Sequence, residues 1–308
     1  MAKKTTLSID QVFNEFIFSV DRSISTRNNY SAVLKSFFGW LAANVKIGHH
    51  VWDATEKDMV DFKMWLQSTH RQSTTRQYIT VIKRFYSWGE SKGYLDNITH
   101  SITIPKARAR GLKRALTEQQ SQSLLAVIPK DTITGIRDHA MISLFLINGI
   151  RLVEACRMDL TDFFDNRLYI HIQGKGQHDK ADFIRIHPKT LEAIENYLAL
   201  RNKPDIIPLF CSHSPQNPGD RLNPKYLSGR IRHYLDAIGL TKEMGYSAHS
   251  LRHTMASLCR KHNIPIDEIS SKLRHTSLAI TQIYIHYIDQ EMKLQDKPGQ
   301  MLEDLIYK

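Results

Sequence analysis

Cysteine is scarce in this chain. Cys156, Cys211 and Cys259 are the only three in 308 residues, and they stand far apart. With no C-x-x-C pair and no even-numbered framework, a disulfide scaffold and a zinc ribbon are excluded, and a reducing compartment is the economical expectation. No apolar run approaches the length of a membrane span, and no apolar stretch follows the basic residues of the N-terminal MAKKTTLSIDQ. The expectation is a soluble, cytoplasmic protein with no membrane partner. Internal repeats and low-complexity tracts are missing too. Carboxylates are in deficit, 31 Asp and Glu against 42 Lys and Arg, and they form no cluster suited to two metal ions, so neither metal nor cofactor is expected. What remains is a net charge of +11 on a chain of ordinary hydrophobic content, 42%. That balance favours a polyanionic partner, nucleic acid foremost.

The length suits about two domains. Ser8 stands before Ile9, Val12, Phe13, Phe16, Ile17 and Val20, a helical period with a capping residue in front. Further helices run through Tyr30 to Leu41, from Thr55 with Asp58 three residues on, and from near Ser73 to Gly93. Together they predict an all-helical bundle over residues 1–104. PKARARGLKRAL, residues 105–116, has Pro, Gly and five basic residues without apolar periodicity, which marks a linker. It can lie along a DNA backbone or act as a soluble hinge. From residue 117 to 308 the pattern predicts a second, mostly helical domain. Thr117 and Gln120 form a capping-box pair, and Gly149 ends a helix through Leu144. RLYIHI and ADFIRIH read as two strands joined by QGKGQHDK, and helices follow around Leu191–Leu200, from Asn223-Pro224 and from Ser250 onward. The fold class is therefore mostly α with a small antiparallel sheet.

Four stretches hold reactive side chains: NGIRLVEACR, QGKGQHDK, SAHSLRHTMAS and LRHTSLAITQIY. Each has a plain explanation by itself. Arg151 and Glu154 fit a helical ion pair. The GKG turn lacks the spacing and ending of a P-loop. His249 and His253 have zinc-helix spacing, but no Glu lies between them, and Arg252 would set a cation beside the metal. His275 fits a surface or capping histidine, and TQIYIHY, with Tyr284 and Tyr287, fits an aromatic helix face.

Taken in order, however, Arg151, Lys175 in a hairpin turn, His249-x-x-Arg252, His275 and Tyr284 nine residues later resemble the signature of the tyrosine recombinases, the phage-integrase and Xer-type family. The resemblance covers about residues 140–290, and the helical N-terminal region resembles more loosely the family's core-binding domain. It implies a core-binding domain followed by a tyrosine-recombinase catalytic domain. It also implies site-specific DNA strand cleavage and rejoining through a 3′-phosphotyrosyl intermediate, without metal or ATP. Arg151 and Arg252 match the phosphate-binding arginines, Glu154 the acid that holds Arg151, Lys175 the general acid, His249 the proton acceptor, His275 a phosphate or phenol partner, and Tyr284 the nucleophile. The distance from His275 selects Tyr284 over Tyr287.

Two positions depart from the family pattern. Ala248 stands where many relatives have Pro, and Arg274 where Gly is usual, which adds a cation either close to the phosphate or directed away from it. The expected partners are double-stranded DNA carrying a recombination site, further copies of the chain up to a tetramer in the synapse, and a second recombinase or accessory protein. Arg76, Lys83, Arg84, Lys106, Arg108, Arg110, Lys113 and Arg114 are candidate DNA-phosphate contacts, with a solvated face as the plain alternative. The apolar residues Met301, Leu302, Leu305 and Ile306 in the tail either cover their own domain or dock on a neighbouring protomer. Two other functions stay open on the same residues: a DNA-binding regulator that does not cut, and a type IB topoisomerase.

Overall fold

The structure is a computed structural model and describes residues 7–44, 53–106, 114–174, 179–201, 203, 205–274, 282 and 297–307. The chain forms two compact units, Met1–Arg110 and Gly111–Lys308.

The first unit holds α1 (Ile9–Ser19), α2 (Ile24–Asn44), α3 (Glu56–Thr69) and α4 (Gln72–Ser91). Local sequence sets where two of them begin. Ser8 Oγ accepts from the Gln11 backbone N–H while the Gln11 side chain accepts from that of Ser8, and Thr55 and Asp58 repeat the exchange at α3. The buried faces of all four helices meet in one core with Val12, Phe16, Leu34, Phe37, Met59, Phe62, Leu66, Ile79 and Phe85 at its centre. Phe16 meets Phe85 edge-on with ring centroids 5.3 Å apart, one of several tilted aromatic pairs that fill the bundle. Past α4, Gly93 takes a left-handed φ of 70° and the chain turns back along the helix. Lys83 on α4 fastens this return by donating to the carbonyls of Thr99 (2.5 Å) and Ile102 (2.8 Å).

The second unit contains α5 (Glu118–Ala126), α6 (Ile133–Asn148), α7 (Leu152–Arg157), β1 (Phe163–Phe164), β2 (Tyr169–Ile172), β3 (Asp182–Arg185), α8 (Pro188–Arg201), α9 (Pro224–Ala237), α10 (Ala248–Lys261), α11 (Ile266–Leu273) and α12 (Lys297–Ile306). The predicted class, mostly α with a small antiparallel sheet, is the observed one. Helix α6 is buried almost all round, which marks it as the central element of this unit. It even buries Arg137 and Asp138, which are paired at 2.7 Å and tied to Arg230 and Tyr234 on α9. Burial this deep is tolerated because each charge has partners.

The sheet runs β1-β2-β3, antiparallel throughout, with Phe163 opposite Ile170 and Ile170 opposite Ile184. Ile170, Ile172 and Ile184 turn into the core, as the period-2 pattern predicts. Strand β1 has no counterpart in that pattern, because two residues are too few to alternate. Pro298 and Gly299 lie within the first turn of α12, where a proline without its N–H fits. The α12 residues Met301, Leu302, Leu305 and Ile306 are exposed.

Candidate active site

Gly149 closes α6 in the left-handed conformation, φ 58° and ψ 30°. A Cβ there would meet the terminal methyl of Met255 on α10, which a methionine can move aside, so it is the backbone conformation that calls for glycine. The tight close lets the chain turn at once into α7, with Arg151 in the N-cap position. Glu154, one turn into α7, reaches back to that cap. Its Oε2 accepts from the Arg151 backbone N–H and its Oε1 from Arg151 Nη1, both at 2.7 Å. Glu154 is fully buried, whereas Arg151 keeps 28% of its side chain exposed, so one end of the pair is fixed in the protein and the other faces out.

Helix α10 supplies His249 and Arg252. His249, in its first turn, is exposed. Arg252, almost a turn further on, is buried and donates from Nη1 to the carbonyl of Gly149 and from Nη2 to that of Leu273. These carbonyls stand at the C-terminal ends of α6 and α11, where helices leave acceptors unpaired and carry partial negative charge. The guanidinium therefore joins two helix ends and is held in place by them. His253, the next residue, is fully buried, and burial first, then the charge of His249, push its pKa down to about 4. It is a neutral packing residue at physiological pH. Among the described residues no group of three or more His, Cys, Asp or Glu side chains gathers to hold a metal ion.

Arg274, which departs from the family pattern, proves to be part of this cluster. It caps α11 in the left-handed region, φ 52° and ψ 51°, and its Nη2 donates to Glu154 Oε2 at 2.7 Å. Burial alone would raise the Glu154 carboxyl; the Arg274 charge, then the backbone N–H and guanidinium of Arg151, outweigh it and hold the group below the ordinary carboxylate range. Arg151, Glu154, Arg274, Leu273, Arg252 and Gly149 thus form a closed chain of contacts across three sequence segments. Two guanidiniums hold one carboxylate and a third is fixed on two carbonyls close by in the chain of contacts, a gathering of cations suited to an anion with several oxygens, such as a phosphodiester.

Lys175, His275 and Tyr284 lie outside the described residues, as do Tyr287, His286, Arg108, Arg110 and Lys113. The chain on either side of Lys175 is described. Arg157 Nη1 donates to the Gly174 carbonyl at 3.3 Å, and Lys180 Nζ sits 2.7 Å from Asp159 Oδ2 and 2.5 Å from Asp162 Oδ2. Arg221 takes the other oxygen of Asp159 at 2.6 Å. Burial would raise the Asp159 carboxyl, but the bonds from Lys180 and Arg221 outweigh it and lower its pKa. Both limbs of the β2–β3 hairpin are therefore pinned near its base. The sequence reading missed this anchoring as well as the role of Arg274, for which the signal was a large residue at a position where glycine is usual.

Of the candidate DNA contacts, Arg84 is exposed over the Tyr30 ring, 5.9 Å from its centroid, and Arg76 is exposed with Nη1 2.6 Å from the Pro105 carbonyl. Lys106 and Arg114 are exposed. Lys83 is partly buried on the two carbonyls described above. No described helix is long and apolar enough to cross a membrane, and all three cysteines are free.

Comparison with known proteins finds that residues 114–291 match the Phage integrase family and residues 10–93 the Phage integrase, N-terminal SAM-like domain. The chain is 29% identical over 224 residues to the tyrosine recombinase XerC of Thermodesulfovibrio yellowstonii, covering 70% of this chain and 71% of that one. The fold is similar to that of XerH site-specific recombinase bound to a palindromic difH substrate in a post-cleavage complex, with TM-score 0.71 and 20% identity over 95% of this chain and 84% of that chain. It is also similar to a lambda integrase tetramer bound to a Holliday junction, with TM-score 0.66 and 16% identity over 90% of this chain and 75% of that chain.

Proposed function

The chain belongs to the phage integrase family of tyrosine-type site-specific recombinases, and we propose that its strand cleavage runs through Tyr284 at a phosphate held by Arg151 and Arg252. The Tyr284 Oη attacks the phosphorus, its proton passes to His249, and the bond to the 5′ oxygen breaks as Lys175 protonates that oxygen. The products are a 3′-phosphotyrosyl linkage and a free 5′ hydroxyl. The ester energy stays in the linkage, so a 5′ hydroxyl from another strand can reverse the steps and rejoin.

Phenol is a poor nucleophile near neutral pH, since its ordinary pKa is about 10. It needs an acceptor such as His249 and cationic charge on the phosphate. The charge that builds on the non-bridging oxygens calls for donors already in place, because fixed dipoles and charges need no rearrangement during the reaction. The observation that carries this reading is the buried mounting of Arg252 on two helix ends and of Arg151 on Glu154, in a chain of this family. His275 is assigned to hydrogen bonding of the phosphate or phenol.

The substrate is double-stranded DNA carrying a specific recombination site, bound by several copies of the chain, up to a tetramer in the synapse, with a second recombinase or accessory protein as a further partner. Backbone contacts are assigned to Arg76, Arg84, Lys106, Arg108, Arg110, Lys113 and Arg114. The free cysteines support a reducing, cytoplasmic setting. The test uses nicked duplex DNA bearing a footprinted binding site, in EDTA, so that the cleaved end diffuses away and the adduct accumulates. A covalent protein–DNA complex is expected from the wild type and from Tyr287→Phe, and none from Tyr284→Phe. A wild-type protein that binds the site and forms no adduct would leave a DNA-binding regulator as the function.

A further inference from the structure

Arg274 carries two structural burdens. It is one of the few non-glycine residues with positive φ, at the end of α11 where glycine would be unstrained. Its side chain is 10% exposed, and its Nε is buried with no acceptor among the described residues, although Nη1 donates to the Lys272 carbonyl at 2.9 Å and Nη2 to Glu154. Glycine would avoid both, but would give up the ion pair to the buried Glu154.

Its use lies in the charge of Glu154. That carboxylate faces Arg151 with one oxygen and shares the other between the Arg151 backbone N–H and Arg274. Were Arg151 its sole cationic partner, the pair would be close to neutral, and the guanidinium that faces outward would offer a phosphate its hydrogen bonds but little net charge. A second guanidinium on the far oxygen changes this balance in a buried setting, where charges are weakly screened. The lowered Glu154 pKa, with Arg274 foremost among the charges that lower it, agrees.

We propose that Arg274 is a positioning residue for strand cleavage, one that clamps Glu154 and takes up its negative charge, so that Arg151 meets the scissile phosphate with its own charge undiminished. This rests on the assignment of Arg151 to the phosphate made above. The effect works through Glu154, which makes it separable from a direct DNA contact by a double-mutant cycle.

The cycle compares wild type, Arg274→Gly, Glu154→Gln and the double variant, with Arg274→Lys as the conservative change, each measured for adduct formation under single-turnover conditions, DNA affinity and Tm. Arg274→Gly is expected to slow adduct formation by about ten- to a hundred-fold, less than loss of a donor that touches the reacting oxygen, with DNA affinity changed little. Its Tm is expected to fall, because the buried Glu154 loses one of its two cations, with the left-handed cap that glycine suits offsetting part of the loss. Arg274→Lys restores most of the rate. In the Glu154→Gln background, where no carboxylate remains to be neutralised, Arg274→Gly is expected to change the rate by less than about threefold. An equal loss in both backgrounds overturns the proposal in favour of a direct contact with DNA. A wild-type rate in Arg274→Gly overturns it as well, and so does a slowed rate that recovers when the variant is assayed well below its Tm. If the wild type itself forms no adduct, the recombinase reading fails and takes this one with it.

Discussion

Replacing Glu154 by Gln removes one charge and keeps the shape, so it isolates what the buried carboxylate does for folding. Three donors lie 2.7 Å from its oxygens: the Arg151 backbone N–H, Arg151 Nη1 and Arg274 Nη2. Removing one partner of a buried ion pair costs about 3–5 kcal/mol. Arg151 remains partly in water, and the amide oxygen of Gln still accepts some of these bonds, so the lower end, about 3 kcal/mol, is expected. With a urea m-value of about 2 kcal/mol per molar, the unfolding midpoint of the second unit should fall by about 1.5 M.

The chain carries its own control for this measurement. All four tryptophans, Trp40, Trp52, Trp65 and Trp88, belong to the first unit. Tryptophan fluorescence should therefore be unmoved by Glu154→Gln, while circular dichroism, which follows the helices of both units, registers the loss. The pH dependence has a definite sign. The folded pKa of Glu154 lies below the ordinary value of 4.5, so its stabilisation is fully present above that value and is lost as pH falls through the folded pKa. The gap between wild type and variant should stay level from about pH 8 to about pH 5 and close below 4.5. An unchanged dichroism midpoint at pH 7, or a gap that survives in acid, would refute the reasoning.

Gly149→Ala adds a Cβ at a left-handed position, where the Met255 methyl can give way, and about 1–2 kcal/mol of backbone strain predicts a loss of about that size in urea unfolding. Lys83→Met should destabilise the first unit by about 2–3 kcal/mol, read by tryptophan fluorescence, and leave the salt dependence of DNA binding alone. Arg84→Ala should do the reverse and lower the slope of log K against log salt by about one. Lys175→Ala should slow cleavage by about a hundred- to ten-thousand-fold and be rescued by DNA with sulfur at the scissile 5′ position, whose thiolate leaves without a proton. Lys180→Ala, which loosens the hairpin from Asp159 and Asp162, should show a weaker form of the same defect and the same rescue; a defect that sulfur does not relieve would remove Lys180 from any part in placing the general acid.

The parts of the molecule legible in the sequence are those encoded over three or four residues. Ser8 caps its helix as predicted, Thr55 with Asp58 and Thr117 with Gln120 form the caps their spacing announces, and Gly149 ends its helix where expected. Asn223-Pro224 opens α9, and the alternation of RLYIHI and ADFIRIH yields β2, shorter by two residues at its start, and β3, shorter by one at its start and two at its end. Function-bearing contacts were legible in part. Arg151 and Glu154 pair as i, i+3 spacing suggests. The partner of Arg274 stands 120 residues away, and Lys83 reaches a turn 16 and 19 residues on, so no local pattern distinguishes these cations from solvated ones. Arg252 illustrates the same limit. Its residue type fits phosphate chemistry, but its burial on Gly149 and Leu273 follows from how α6, α10 and α11 converge.

The closed chain of contacts from Arg151 through Glu154, Arg274 and Arg252 back to Gly149 also bears on how the protein is made. Its two longest links span 103 and 120 residues, so no stretch of the growing polypeptide can assemble it before residue 274 has left the ribosome. Synthesis runs from the N-terminus at about 5–20 residues per second, and domains tend to fold as they emerge. A helical unit with exposed arginines is thus able to form well before the chemistry exists. Under the DNA contacts proposed above, nascent or truncated chains would hold DNA without the means to break it.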